Sequence, residues 1–336
     1  MSTDVMRPLI EMEGTRPVPC RQPEATGLFA CTSCGGDLSP AIRCVRCHRQ
    51  FEVIEDRPVL LPPGAAQVPP KRNRVLDVQG AERRGVARTG ARGLFDRIRR
   101  ATTAEVFCDD RTQIKLLAKA VRHRLRPDDW IVDIGAAEQY YRSDLEALGR
   151  VLALDISIYD ATDVVADCHS LPFRSGSIGA ICALEVLEHV ERPWRVFEEC
   201  ARVLRPGGLM FGVAPQYCPT HGFPHDYFRY TRSGLESLGR SANLRLVEAW
   251  PIGGPWGTLL HWYWANHARE STLRQVPVVS LGYHMWFQAI AATLDRLDAR
   301  DGYGTRTRAQ EHNDHVGWSF VFERAAGDPS TARERR

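Results

Sequence analysis

Four cysteines, Cys31, Cys34, Cys44 and Cys47, are spaced as CxxC, nine residues, CxxC. Two such knuckles can bring four thiolates to the corners of a tetrahedron about 2.3 Å from a zinc ion, and the Gly35–Gly36 pair permits the tight turn this needs. Four protein ligands leave no open position, so the expected zinc is structural, and its binding energy folds a segment too small to hold a core of its own. His48 follows a ligand directly and is expected to be a neighbour rather than a fifth ligand. The other six cysteines are scattered, which fits a reducing compartment with one metal site better than a disulfide framework.

A second set of chemistry-bearing residues surrounds VDIGAAEQYYR, where an apolar segment runs into Asp133 and Gly135. Asp155 ends the next apolar segment, twenty positions beyond Gly135. In a doubly wound fold an acid at that place can accept hydrogen bonds from ribose hydroxyls. The GxGxxG fingerprint is absent and nothing in the loop suits a pyrophosphate, which disfavours a nicotinamide dehydrogenase. A nucleoside-bearing ligand without phosphates remains. His189, His221 and His225 are candidates for a general base near neutral pH. Their bland alternatives are that His189 fixes a loop and that His225 with Asp226 braces the backbone around the prolines.

The elements that must position these groups are legible from periodicity. Ile114, Leu117, Val121 and Leu125 recur at helical spacing before Pro127. WIVDIG, VLALD, VVAD and IGAICAL then read as buried strands of a parallel sheet. Pro193 opens a helix with Trp194, Phe197, Ala201 and Leu204 on one face; RPGG closes it as a turn, and GLMFGVAP follows as a fifth strand. Beyond HGFPHDYFRYT come a helix near Ser233 to Ser241, a strand at LRLVEAW, an aromatic-rich helical insertion at 255–298, and a last strand, GWSFVFE. The alternation predicts an α/β, doubly wound, Rossmann-like sheet whose ligands sit beyond the carboxyl ends of the strands.

VDIGAA, VLALDIS, VVADCHSLPF, ALEVLEHV and RVLRPGGLMFGVAP, in this order, resemble the class I S-adenosylmethionine-dependent methyltransferases of the type 11 group. The likeness covers about residues 105–250 and the last strand, and implies a seven-stranded methyltransferase sheet. The cysteine segment is similar to the small zinc ribbon of a tRNA-methyltransferase activator protein. HGFPHDYFRYT resembles a subgroup whose first loop continues into a Tyr-Arg pair, matched by Tyr141 and Arg142.

By this resemblance Asp133 and Gly135 form the loop against the methionine part of S-adenosylmethionine, and Asp155, with Ile156 beside it, meets the ribose. Asp167 and the backbone at Cys168 face the adenine, while Leu184 and Glu185 close the site. Leu184 as plain core, Glu185 as a helix cap and Asp167 as a turn cap are the structural rivals. Ala137 stands where a glycine is expected; a positive φ there costs an alanine about 1–2 kcal/mol, which weakens cofactor binding about tenfold at most.

The 336 residues, 43% hydrophobic, suit one large domain with a small accessory one, and the net charge of +3 says little about partners. Expected boundaries are a flexible N-terminus at 1–26, the ribbon at 27–63, a basic linker at 64–102, the methyltransferase domain at 103–325 and a flexible tail at 326–336. The chain carries no signal peptide or membrane span that stands out, so a cytoplasmic protein is expected. The acceptor expected is a small molecule, natural product or glycan methylated at oxygen or nitrogen. An RNA acceptor is the alternative, since residues 71–126 hold sixteen Lys and Arg against six Asp and Glu. A degraded fold serving as a binding partner is the third reading.

Overall fold

The computed structural model describes residues 20–65, 110–222, 224–263 and 315–325, with scattered helical positions between 286 and 300. Most of the basic linker and most of the aromatic insertion lie outside the described residues. The helical spacing from Ile114 becomes α1 (Asp110–Val121), followed by a 3-10 turn at Arg122–Arg124. The first three predicted strands are β3 (Trp130–Ile134), β4 (Arg150–Asp155) and the very short β5 (Val164–Val165). Between β3 and β4 lies a short helix, α2 (Arg142–Glu146).

All five residues of β3 and all seven of β6 (Ile178–Leu184) are buried. Period-two alternation divides them between two cores. Trp130, Val132 and Ile134 join one, packed with Val196, Phe197 and Cys200 of α3 (Pro193–Val203). Ile131, with Ala180 and Cys182 of β6, joins the other, against Ile114 and Leu117 of α1 and Leu145 of α2. Helices on both faces make the sheet doubly wound.

The remaining elements complete one edge. β7 (Leu204–Pro215) pairs parallel with β6, and β9 (Gly317–Arg324) inserts antiparallel between β7 and β8 (Leu244–Ile252). α4 (Arg232–Ser241) starts at Thr231, whose hydroxyl accepts from the Gly234 amide as an N-cap, and α5 (Pro255–Tyr263) follows β8. RPGG, expected as a turn ahead of the strand, is taken into β7 as an irregular stretch: Gly207 has φ +71, and the β6–β7 register shifts between Ile178 and Ala180.

β3 to β9 are the seven strands expected, and β1 (Glu52–Ile54) and β2 (Arg57–Val59) extend the same sheet to nine, in the order β1-β2-β5-β4-β3-β6-β7-β9-β8. The two additional strands belong to the cysteine segment. Its hairpin, β1 and β2, lays β2 parallel to β5 through Val59 and Val165, and the Leu60 amide donates to the Val165 carbonyl at 2.8 Å. Phe29 packs 5.9 Å from Phe173, and Phe29, Ile42, Phe51 and Leu60 share one apolar cluster with the strands of the main sheet. Arg57, 2% exposed, donates to the Thr162 carbonyl at 2.9 Å, pinning the hairpin to the loop before β5.

At the amino ends of the strands, Arg205 grips Asp129 with two hydrogen bonds of 2.9 and 2.5 Å. Burial alone disfavours a charged Asp129, but Arg205 and the Arg126 amide hold its carboxyl below the usual range. Among the described residues no helix is long and apolar enough to cross a membrane.

Candidate active site

The turn after β3 is tight because it must pass the end of β6. Gly135 has φ +67, and a Cβ there would lie 2.6 Å from Val186 Cγ2, so no other residue fits without displacing Val186. Ala137 does adopt a positive φ, +44, and Gln139 follows at +42. This strain is offset by contacts: the Ala137 amide donates to Asp155 Oδ2 at 3.1 Å and the Gln139 amide to the Ala136 carbonyl at 2.9 Å.

Asp133 lies beneath this loop. Its side chain is fully buried, accepting from Gln139 Nε2 at 2.8 Å and from the Tyr141 hydroxyl at 3.4 Å, and burial pushes its pKa up to about 7. Tyr141 is likewise buried. Arg142 reaches Gln139 Oε1 and Asp163 Oδ2, both at 3.1 Å, and Glu146 Oε1 at 2.8 Å. These three residues brace the loop from below.

Gly135, Ala137 and Asp155 come together above the sheet. Asp155 accepts from the Ser157 amide at 2.8 Å as well as from Ala137, so its carboxylate ties the β3 and β4 loops together. Ile156 beside it is 39% exposed, an apolar surface next to an acid. Leu184 is buried at the end of β6, and Glu185 takes φ +51 while its amide donates to the Val213 carbonyl. Asp167 accepts from both the amide and the ring of His169, at 2.9 and 2.7 Å. Burial opposes its charge, but these donors hold its carboxyl below the usual range. Burial pushes the Cys168 thiol up, so it stays neutral. An acid, an exposed apolar side chain and a glycine turn at one edge fit a nucleoside.

The histidines form a separate group. His189 sits on a 3-10 turn, Leu187–His189, directly after β6. Gly222, with φ +67, brings the later loop against its ring; a Cβ there would lie 2.8 Å from His189 Cε1. His189 and His221 stack edge to face with ring centres 4.8 Å apart. Sequence reasoning missed the third member, Glu188. Its carboxylate is fully buried, and neither oxygen has a hydrogen-bond partner. Its Oε1 lies 3.8 Å from His189 Nε2 and 3.7 Å from His221 Nε2. Burial pushes its pKa up to about 7. The dipeptide EH after a buried strand was the available signal.

His225 stays at the surface, its ring 3.1 Å from the Tyr227 hydroxyl. Its carbonyl accepts from His189 Nδ1 at 2.7 Å. Arg229 locks this loop by donating to both oxygens of Asp226, at 2.5 and 2.8 Å, and to the carbonyls of Cys218 and Pro219. Those bonds hold the Asp226 pKa down to about 2. Asp226, not His225, braces the prolines. A hollow of about 250 Å³ borders the loop, lined by Cys218, Thr220, Asp226 and Tyr227–Arg229.

On the far edge, the four cysteine sulfurs lie within 4.8 Å of one another, with Cys31–Cys47 at 3.6 Å and Cys34–Cys44 at 3.5 Å. A tetrahedral zinc with bonds of about 2.3 Å separates its sulfurs by about 3.8 Å, so this group fits the ion. Amides of Ser33, Arg46 and Cys47 point at Cys31 and Cys44, where they would stabilise thiolates.

Residues 132–212 match the type 11 family model, described as a methyltransferase domain. That stretch runs from β3 through most of β7 and contains every residue placed around Asp155. An uncharacterized methyltransferase of Mycolicibacterium gilvum is 52% identical over 40 residues, 12% of this chain and 16% of that protein. The ubiquinone biosynthesis O-methyltransferase of Burkholderia thailandensis is 28% identical over 164 residues, 38% of this chain and 68% of that one. The chain spans less than a third of the length of the first curated relatives it matches. The crystal structure of geranyl diphosphate C-methyltransferase from Streptomyces coelicolor has a TM-score of 0.39 at 16% identity, covering 62% of this chain and 80% of that one. The domain match supports a class I methyltransferase reading of the α/β part.

Proposed function

We propose that the chain transfers a methyl group from S-adenosylmethionine to an oxygen or nitrogen of a small-molecule, natural-product or glycan acceptor. The observation that carries this reading is the convergence of the Gly135–Ala137 turn, Asp155 and exposed Ile156 at one edge of a sheet matched by a methyltransferase domain. Asp155 would accept hydrogen bonds from the ribose hydroxyls, and Ile156 would cover the adenine together with the backbone at Cys168. The turn at Gly135 would leave room for the amino-acid end.

The cofactor supplies a methyl group on a positively charged sulfur, open to in-line displacement. The work left to the chain is positioning, exclusion of water and removal of the acceptor's proton. His189, 30% exposed and fixed through Nδ1, and His221 behind it lie where the loop after β7 meets the end of β6. Either could take that proton, with exposed His225 the third candidate. Cys31, Cys34, Cys44 and Cys47 would hold a structural zinc that keeps β2 against β5.

Titration calorimetry tests the core of this reading. Binding of S-adenosylmethionine and of its demethylated product at micromolar to millimolar concentration is expected. Absence of heat for both at millimolar concentration would overturn it.

A further inference from the structure

Glu188 sets a problem in hydrogen-bond accounting. His189 Nδ1 lies 2.7 Å from the His225 carbonyl, and His221 Nδ1 lies 3.1 Å from the Pro219 carbonyl. A carbonyl only accepts, so each Nδ1 carries the proton and each neutral ring presents a bare lone pair at Nε2. Both lone pairs lie beside the same buried oxygen of Glu188, which has no donor of its own. With Glu188 ionised and both rings neutral, three acceptors converge in a buried pocket with no hydrogen among them. Left so, they repel and remain desolvated.

We propose that Glu188, His189 and His221 form a binding site for a divalent transition-metal ion of the zinc class. One cation satisfies all three lone pairs at once. Two imidazoles and a carboxylate are the donor set such ions take. The three ligand atoms lie within 4.8 Å of one another. A tetrahedral ion with bonds of about 2.1 Å needs separations of about 3.4 Å, so a contraction of a few tenths of an ångström closes the 3.7 and 3.8 Å contacts. The Nδ1–H groups donating to carbonyls are the outer contacts that orient ligating histidines. His189, part exposed, gives the ion a way in, and three protein ligands leave a fourth position for a water or a substrate atom.

This site is separate from the cysteine group and needs no methyl donor, so it can stand even if the proposed methyl transfer fails; with the ion bound, the Nε2 atoms of His189 and His221 are occupied and proton removal in the proposed reaction falls to His225. The experiment is equilibrium dialysis of the full chain against zinc, counting ions by mass spectrometry. The wild-type protein is expected to saturate at about one ion per chain more than Glu188→Gln and His221→Ala, while all three retain the cysteine-bound ion. A Cys31→Ser variant distinguishes the two sites, because it should lose the other ion. Where Glu188→Gln or His221→Ala does not fold, part-exposed His189→Ala decides by the same count. Equal zinc content in wild type and variants overturns the proposal and leaves a shared proton as the occupant of the pocket.

Discussion

The two ends of the central sheet are built on opposite terms. At the amino ends, Asp129 and Arg205 satisfy each other, and a Cβ on Gly179 would fall 2.3 Å from Asp129 Cγ, so the packing there is closed. At the carboxyl ends, Ala137, Gln139 and Glu185 hold positive φ angles, Asp133 is buried without a cation, and Glu188 has no partner for either oxygen. One end spends its polar groups on holding the strands together. The other keeps strain and unsatisfied polarity, which a folded chain retains where a ligand makes use of them.

This contrast can be broken at either end. Asp129→Ala should have the largest effect, lowering stability by about 3 kcal/mol in urea unfolding because it leaves the Arg205 guanidinium without its partner. Its S-adenosylmethionine affinity should match that of the wild type; a tenfold loss would mean that the two ends are not independent. Next is the pH dependence contributed by Asp133. Its carboxyl titrates near 7 when folded, against about 3.9 in an unfolded chain. The folded state therefore holds the extra proton between these values, and stability is greatest below about 4 and falls as pH rises through 7. Asp133→Asn should remove roughly 3 kcal/mol of the loss between pH 5 and pH 8, read from unfolding curves at the two values. An unchanged slope would mean that Asp133 is not the group responsible.

Asp155→Ala should weaken S-adenosylmethionine binding by at least about tenfold in calorimetry, with a smaller fall in stability than Asp129→Ala. Retained affinity would remove Asp155 from the ribose role. The smallest effect belongs to Ala137→Gly, which relieves a left-handed alanine and should tighten binding by up to about fivefold. Unchanged or weaker binding would show that the loop has adapted to the methyl group.

How far the sequence foretold these features depends on how local their causes are. WIVDI and IGAICAL are apolar on both faces, and that pattern alone specifies a strand covered on both sides. Asp155 was legible for the same reason, since it ends such a strand. The burial of Asp133 was also written there: it shares the face of Ile131, two positions away, which packs on α1. The extension to nine strands was not legible, because pairing Val59 with Val165 joins segments more than a hundred residues apart and no local pattern marks it. Glu188 stayed hidden because a glutamate just past a strand reads as a solvated or capping group, and only its contact with His221, thirty-three residues on, makes it unusual. RPGG misled through composition: proline and glycine favour a turn, yet flanking pairings with β6 carry the strand through them.

The seam between β2 and β5 means that the boundary suggested by the linker is not a place where this molecule can be cut. Val164–Val165 is a two-residue strand that owes its outer neighbour to the cysteine segment. A fragment lacking the first sixty-odd residues would present a bare sheet edge beside uncovered Phe173, the kind of surface on which copies of a chain pair with one another. For recombinant work the α/β part alone is therefore a poor reagent, prone to aggregate however well its own sequence is preserved.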